Sequence, residues 1–286
     1  MLTRSRVIVV GSINFDIIAP VADPPMPHQK QHVPQYSAGP GGAAVNTARW
    51  LASMGVATEL VGVVGDDTFG QACLDGLIAS GVGIAMVSVM PGSSTGLAFV
   101  MSRGDAKRMF TFPGPDRDAA FGLAVLDELR AEDHVHIAAP VTDGLRRLLA
   151  GIETAGCSMS LEWNGRDMRT LTRSADLNFM NLDEARALTG APAGHPAAAV
   201  AAMIAADLTG DVVLTLGASG ALRANADGLV AHQPVEPVDP VDRTGGGDAF
   251  DAGVIVSWLL GEPAEAGLRR GLAAARTTLM MVGACP

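Results

Sequence analysis

The 286-residue sequence predicts an α/β fold built on a doubly wound, mostly parallel sheet with a small β lid. Three observations carry that expectation. Short apolar runs such as Arg6–Val10 are β-branched and continuous, as strands covered on both faces must be. Helical stretches follow them and close on glycine, as at Gly55 and Gly81. The alternation recurs along most of the chain, the pattern of strands joined by crossover helices.

Arg6–Val10 starts the sheet, and Gly11 ends that strand. Ala43–Met54 reads as a helix with Val45, Ala48 and Leu51 or Ala52 on one side, and Glu59–Val64 and Asp67–Ser80 repeat strand and helix. Further strands are expected at His134–Ala138, Ser158–Trp163, Leu177–Met180 and Val212–Leu216, and Ala191–Ala206 reads as an alanine-rich surface helix. Two stretches break the alternation. Ile13–Tyr36 is rich in Pro and His without a helical period. Residues 94–113 hold two strand-like runs, Gly96–Met101 and Lys107–Phe112, about a turn at Arg103-Gly104-Asp105. Such insertions are either surface excursions or a lid over the strand ends, where ligands bind in these folds. The expected organisation is one domain, 1–286, with lid segments at about 13–36 and 94–113.

Composition narrows the partners. A formal charge of -10 opposes nucleic acid, which needs a basic face. Lys30 and Lys107 are the only lysines. The 3 cysteines are widely spaced, neither a disulfide framework nor a metal pattern, which suits a reducing cytoplasm. No segment approaches the roughly 20 apolar residues that span a bilayer, so no membrane partner is expected.

The chemistry concentrates in Asp242-Arg-Thr-Gly-Gly-Gly-Asp-Ala-Phe-Asp-Ala-Gly253, where an apolar helical pattern begins at Asp248. Gly245, Gly246 and Gly247 lack a Cβ, so their amides can approach a ligand closely. The start of the following helix offers unpaired N–H groups and a partial positive charge, an anion site. A carboxylate would not be set beside an anion merely to bind it. Asp248 is therefore read as a base acting on whatever attacks that anion, which suggests phosphoryl transfer to a hydroxyl. Asp251, about one turn further on, reads as a solvated helix residue.

Four upstream runs are weaker signals. Asn14 and Asp16, in Gly11-Ser-Ile-Asn-Phe-Asp16, face the crevice at the end of the first strand and suit a polyol, or form an ordinary turn. Gly39-Pro-Gly-Gly-Ala-Ala-Val-Asn-Thr-Ala48 is neither a Walker loop nor a dinucleotide loop. It either brings backbone close to a small polar ligand, with Asn46 one turn into the helix, or is a tight connection. Asn181 and Glu184, three apart at a helix start, share a face where they could hold a hydrated Mg²⁺ near phosphates, or they make a capping box with Asn181 as N-cap, and the two roles can coexist. Thr215 to Ala221, with Gly217 and Gly220 three apart, is a glycine-rich hairpin or a nucleotide wall. His134 and His136 read as structural, and no hydrolase triad or elbow appears.

Taken together and in this order, these runs resemble the ribokinase-like (PfkB) carbohydrate kinases over essentially the whole length. Gly39–Ala48 followed by Gly65-Asp-Asp-Thr-Phe-Gly70 is similar to the amino-terminal signature, and Asp242–Phe250 to the carboxy-terminal one. The resemblance implies ATP-dependent phosphorylation of a hydroxyl on a small sugar-like acceptor. It implies Asp248 as base, the amides of Gly245–Gly247 as anion hole, and Asn14, Asp16, Gly42 and Asn46 as sugar contacts. It further implies Asn181 and Glu184 serving the nucleotide phosphates and Mg²⁺ shell, Thr215, Gly217 and Gly220 lining the nucleotide, and Asp242 and Thr244 at a K⁺ site. A homodimer through the lid also follows from it. Departures are Arg243 for a small residue, Ala43 and Ala44 in the amino-terminal run, and Leu272 and Arg276 near the expected adenine position. Ala138-Ala-Pro140 stands where a ribokinase carboxylate is expected. Two alternatives remain at this point: a nucleoside kinase, with Phe15, Phe110 or Phe112 as an aromatic platform, and a non-catalytic sugar-binding regulator.

Overall fold

The structure, a computed structural model, describes residues 6–21, 23–103, 106–115, 123–139, 141–172 and 174–284. Gly104, Asp105, Pro140 and Cys285 lie outside them. In chain order the elements are β1 (Val7–Gly11), β2 (Asn14–Ala19), β3 (Ser37–Gly41), α1 (Ala43–Ser53), β4 (Thr58–Gly65), α2 (Thr68–Ala79), β5 (Val87–Met90), β6 (Gly96–Arg103) and β7 (Ala106–Phe112). There follow β8 (His134–Ala138), α3 (Asp143–Ala155), β9 (Ser158–Glu162), β10 (Leu177–Asn181), α4 (Leu182–Thr189) and α5 (Ala197–Ala205). β11 (Asp211–Thr215), β12 (Ala221–Asn225), β13 (Gly228–Gln233), α6 (Gly246–Leu259) and α7 (Ala264–Leu279) complete the order.

Among the described residues nine strands form one sheet in the order β13-β12-β11-β10-β9-β8-β1-β4-β5, and every neighbouring pair is parallel except β11–β12 and β12–β13, so β12 alone runs against the rest. Every residue of β1 is buried, because helices cover both faces. Val7 and Val9 pack with Val45, Ala48 and Leu51 of α1 and with α6, whereas Ile8 and Val10 pack with Leu145, Leu148 and Ile152 of α3. Burial of each such side chain contributes about 1.5–3 kcal/mol, and a one-residue slip in β1 would exchange the two sets. β1 lies between β4 and β8, so strand order reverses there and a crevice opens beyond its carboxyl end.

Helix ends follow local chemistry. The Thr142 side chain accepts the Leu145 N–H at the start of α3, and Gly156 closes that helix in the left-handed region. α5 begins at Ala197 rather than near 191, because Pro196 occupies its N-cap.

The second sheet, ordered β3-β2-β6-β7, is the expected lid with two differences. Its edge strand β3 lies beyond the 13–36 segment, since residues 23–36 run as exposed chain before returning antiparallel along β2. β2 and β6 are parallel rather than a hairpin, because each leaves the carboxyl side of a main-sheet strand and heads the same way. β6 and β7 form the expected hairpin.

Candidate active site

Gly245 is the N-cap of α6 at φ 77, in the left-handed region, and a Cβ there would strike Ala284. Its turn leaves Gly246 already helical, so α6 opens two residues before the position expected from the apolar pattern. The amides of Gly246 and Gly247 thus belong to the first turn, whose N–H groups have no intrahelical acceptor. Asp248 sits third in that turn. Its Oδ2 accepts a 2.7 Å hydrogen bond from the Asn46 side-chain amide, joining the start of α6 to that of α1. Burial pushes the Asp248 carboxyl up to about 6, against the Asn46 hydrogen bond and the positive charge of Lys107.

Asn14 and Asp16 alternate with Phe15 on β2 and so share one face of the lid, level with Gly41 and Gly39 of β3. A Cβ on Gly41 would strike the Asp16 carboxyl, so the glycine lets this side chain lie flat against the loop that opens α1. Burial lifts Asp16 to about 6, and its Oδ1 is buried with no hydrogen-bond partner among the described residues. A buried oxygen of this kind suits a ligand hydroxyl. Phe15 packs against Phe69 with ring centroids 4.9 Å apart. Register places Phe15 with Leu97 and Phe112, and Ile17 with Phe99 and Phe110, all opposite the Asn14 face. The aromatic platform envisaged for a nucleoside is therefore on the wrong side of the lid.

Asp251 corrects the sequence reading. It is only 6% exposed, because α6 is apolar all round and is buried continuously from Ala249 to Ser257. Its carboxyl is held well above the usual range by burial, then by the negative charges of Glu162, Asp248 and Glu184. Glu162, at the end of β9, belongs to no sequence motif. Burial followed by the charges of Asp248 and Glu184 lifts it to about 8, with Arg166 opposing. Glu162, Glu184, Asp248 and Asp251 thus form one repelling set that a hydrated divalent cation would relieve. Among the described residues no group of three or more His, Cys, Asp or Glu could hold a metal ion on its own, so Mg²⁺ fits here only with nucleotide phosphates and water.

Beside the anion loop lies a cavity of about 440 Å³ lined by Asn181, Thr215, Gly217, Gly220, Gly246 and Gly247. Asn181 and Glu184 make the expected capping box: each side chain accepts the other residue's backbone N–H, at 2.9 and 3.0 Å. Gly217 and Gly220 sit in the short turn between β11 and β12. Arg243, Leu272 and Arg276 also line this cavity, which gives three departures from the family pattern one location. So do Val235, Pro237 and Val238, a wall with no sequence motif to announce it.

Asp242 is 1% exposed and accepts four hydrogen bonds. Oδ1 takes the Ser102 hydroxyl at 2.7 Å, the Thr244 hydroxyl at 2.9 Å and the Thr244 N–H at 3.0 Å. Oδ2 takes the Gly283 N–H at 3.1 Å. Burial would raise this carboxyl, and the donors outweigh it and hold it below the usual range. Three donors meet on Oδ1 and one on Oδ2, while the Thr244 hydroxyl oxygen donates and keeps its own lone pairs. The side chains of the pair expected at a K⁺ site are thus engaged in holding Ser102 and Gly283.

His134 bonds Ser158 and Ser160, and His136 bonds Ser160, all at 2.8–2.9 Å within the sheet. Both are structural, as the sequence suggested. No described helix is long and apolar enough to cross a membrane.

A switch-point crevice, a glycine-opened helix start and a buried carboxylate meet at this point of the fold. Residues 4–286 match the pfkB family of carbohydrate kinases, and the chain belongs to that family. It is 27% identical over 292 residues to the ATP-dependent ribose-1-phosphate kinase of Halopiger xanaduensis, covering 98% of this chain and 93% of that protein. The Bacillus subtilis ribokinase is 27% identical over 290 residues, covering 98% and 94%. The Arabidopsis thaliana ribokinase solved with ribose and ATP superposes with a TM-score of 0.83 at 24% identity, over 98% of this chain and 94% of that one, and shares the fold.

Proposed function

We propose that the chain transfers the γ-phosphoryl group of ATP to a hydroxyl of a small sugar or sugar-like acceptor. The observation that carries this reading is Asp248, pinned by Asn46 within one helical turn of the Gly246 and Gly247 amides. Asn14 and Asp16 orient the acceptor, and the buried Oδ1 of Asp16 takes one of its hydroxyl protons in a hydrogen bond. Asp248 accepts the proton of the reacting hydroxyl as its oxygen bonds to phosphorus, and the bond to the ADP oxygen breaks. The amides of Gly245–Gly247 stabilise the charge on the phosphoryl oxygens in flight. Asn181, Thr215, Gly217 and Gly220 hold the nucleotide. Mg²⁺, when bound with it, supplies charge neutralisation at the phosphates, and Glu184 and Glu162 would hold its water shell.

The aromatic rings on the far face of the lid favour a sugar over a nucleoside, and retention of a buried base argues against a non-catalytic binder. Phe110 and Phe112, 59% and 57% exposed on that far face, suit a second copy of the chain packed against the lid. The reading takes 1–286 as one unit with its lid inserted, working in the cytoplasm, where ATP meets the reduced thiols of Cys73 and Cys157. A screen of ATP consumption over sugars, sugar phosphates and nucleosides tests it. Turnover with at least one sugar is expected, and sugar binding without turnover would refute it.

A further inference from the structure

The lid hairpin ends against the anion loop. Ser102 of β6 is 2% exposed, and its hydroxyl grips Asp242, three residues before Gly245. Directly across the antiparallel pair from Ser102 stands Lys107 of β7. Residues paired this way project to the same face with Cβ atoms about 5 Å apart. Lys107 therefore leaves the lid on the face that carries Asn14 and Asp16, beside the point where the lid touches the anion loop. Its charge is felt at both Asp16 and Asp248.

The surroundings need that charge. Asp16, Glu162, Glu184, Asp248 and Asp251 all converge on a crevice that must admit a polyphosphate. Arg166 faces Glu162, and Arg243 lines the nucleotide side of the cavity. On the acceptor side, Lys107 supplies positive charge that is felt at Asp16 and Asp248.

We propose that Lys107 is a catalytic residue carried by the lid, contacting the transferred phosphoryl group, and that Ser102 is the positioning residue that docks it there through Asp242. The inference rests on the proposed kinase reading and adds a residue that the glycine motifs do not announce. The covalent step is unchanged: Lys107 offers N–H donors to phosphoryl oxygens as charge moves from the γ-phosphate to the leaving ADP.

The test uses the full chain with Lys107→Met, Lys107→Arg, Ser102→Ala and Ser102→Thr. Lys107 is exposed on an edge strand, so its variants should melt like the wild type. The first arm needs no acceptor. Calorimetric affinities for MgATP and MgADP should separate in Lys107→Met, with MgATP weakened about tenfold or more and MgADP within about twofold. Equal affinity losses, or none, would overturn the role. The second arm measures kcat and KM with whichever sugar the screen identifies. Lys107→Met should lose about 100-fold in kcat with KM for the sugar within about threefold, and Lys107→Arg should recover most of it. Ser102→Ala should lower kcat in the same way, with Ser102→Thr restoring it, and an unchanged kcat would overturn the docking role. Wild-type protein that binds no MgATP would overturn both the kinase reading and this inference. Wild-type turnover with Lys107→Met indistinguishable from it would overturn this inference alone.

Discussion

The side-chain amide of Asn46 donates a 2.7 Å hydrogen bond to Oδ2 of Asp248, across 202 residues of sequence. It ties the first turn of α1 to the first turn of α6, so the amino-terminal and carboxy-terminal motifs meet as one site. A donor on a carboxylate favours its charged form and holds Asp248 lower than burial alone would leave it.

Loss of that donor should therefore move the base upward. With Asp248 at about 6, kcat/KM should fall below pH 6 as the base takes up a proton. Asn46→Ala should shift this acid limb to higher pH. It should also reduce kcat/KM at neutral pH by about tenfold, since hydrogen bonds to charged groups are worth about 1.5–3 kcal/mol. A pH–rate profile of the two proteins checks both effects.

Glu162 sets a second expectation. Its folded pKa, about 8, lies above the unfolded value, so the folded state holds more protons between these values and stability falls as pH rises through the interval. Glu162→Gln copies the neutral acid and should flatten the decline between pH 5 and pH 8 by up to about 1.4 kcal/mol per unit. Urea unfolding without nucleotide, across that range, measures it. The same variant should need more Mg²⁺ for half-maximal turnover.

His134 and His136 act in the opposite sense. Burial depresses both to about 3, His134 further by the charge of His136. Their stability contribution is complete above the unfolded pKa near 6.5 and is lost progressively as pH falls towards 3. His136→Phe should remove one of these two acid slopes, at most about 1.4 kcal/mol per pH unit, even if its absolute stability is lower. Urea midpoints at pH 7.5, 6.5 and 5.5 would show the change of slope.

Four hydrogen bonds on Asp242 set an expectation for monovalent cations. Turnover in potassium chloride should match turnover in tetramethylammonium chloride at equal ionic strength within about twofold, because the donors already supply the positive field a cation would bring. A several-fold activation by K⁺ would mean that the ion displaces one of them.

Much of the frame was legible because parallel strands and glycine-closed helices write their pattern locally. His134–Ala138 is the strand the sequence indicates, and the Asn181–Glu184 capping box is present as read. What stayed hidden depends on partners distant in sequence. Glu162 is one carboxylate at the end of an apolar strand, and only the approach of α6 makes it part of the site. Asp251 does carry a local signal: on a helix apolar nearly all round, such a charge has no solvent face to occupy. Strand β3 gives no hydrophobic alternation, since Ser-Ala-Gly-Pro-Gly is held by its backbone pairing with β2. Ser102 and Lys107 are ordinary lid residues until register and docking bring them beside the anion loop.

Paired turnover and binding measurements on the wild type and Asp248→Asn test Asp248 as the base of a kinase. With the sugar that the wild type phosphorylates fastest, the variant should lose at least about 1,000-fold in kcat while sugar and MgATP affinities stay within about threefold. Turnover by Asp248→Asn within tenfold of the wild type would mean that another group takes the proton.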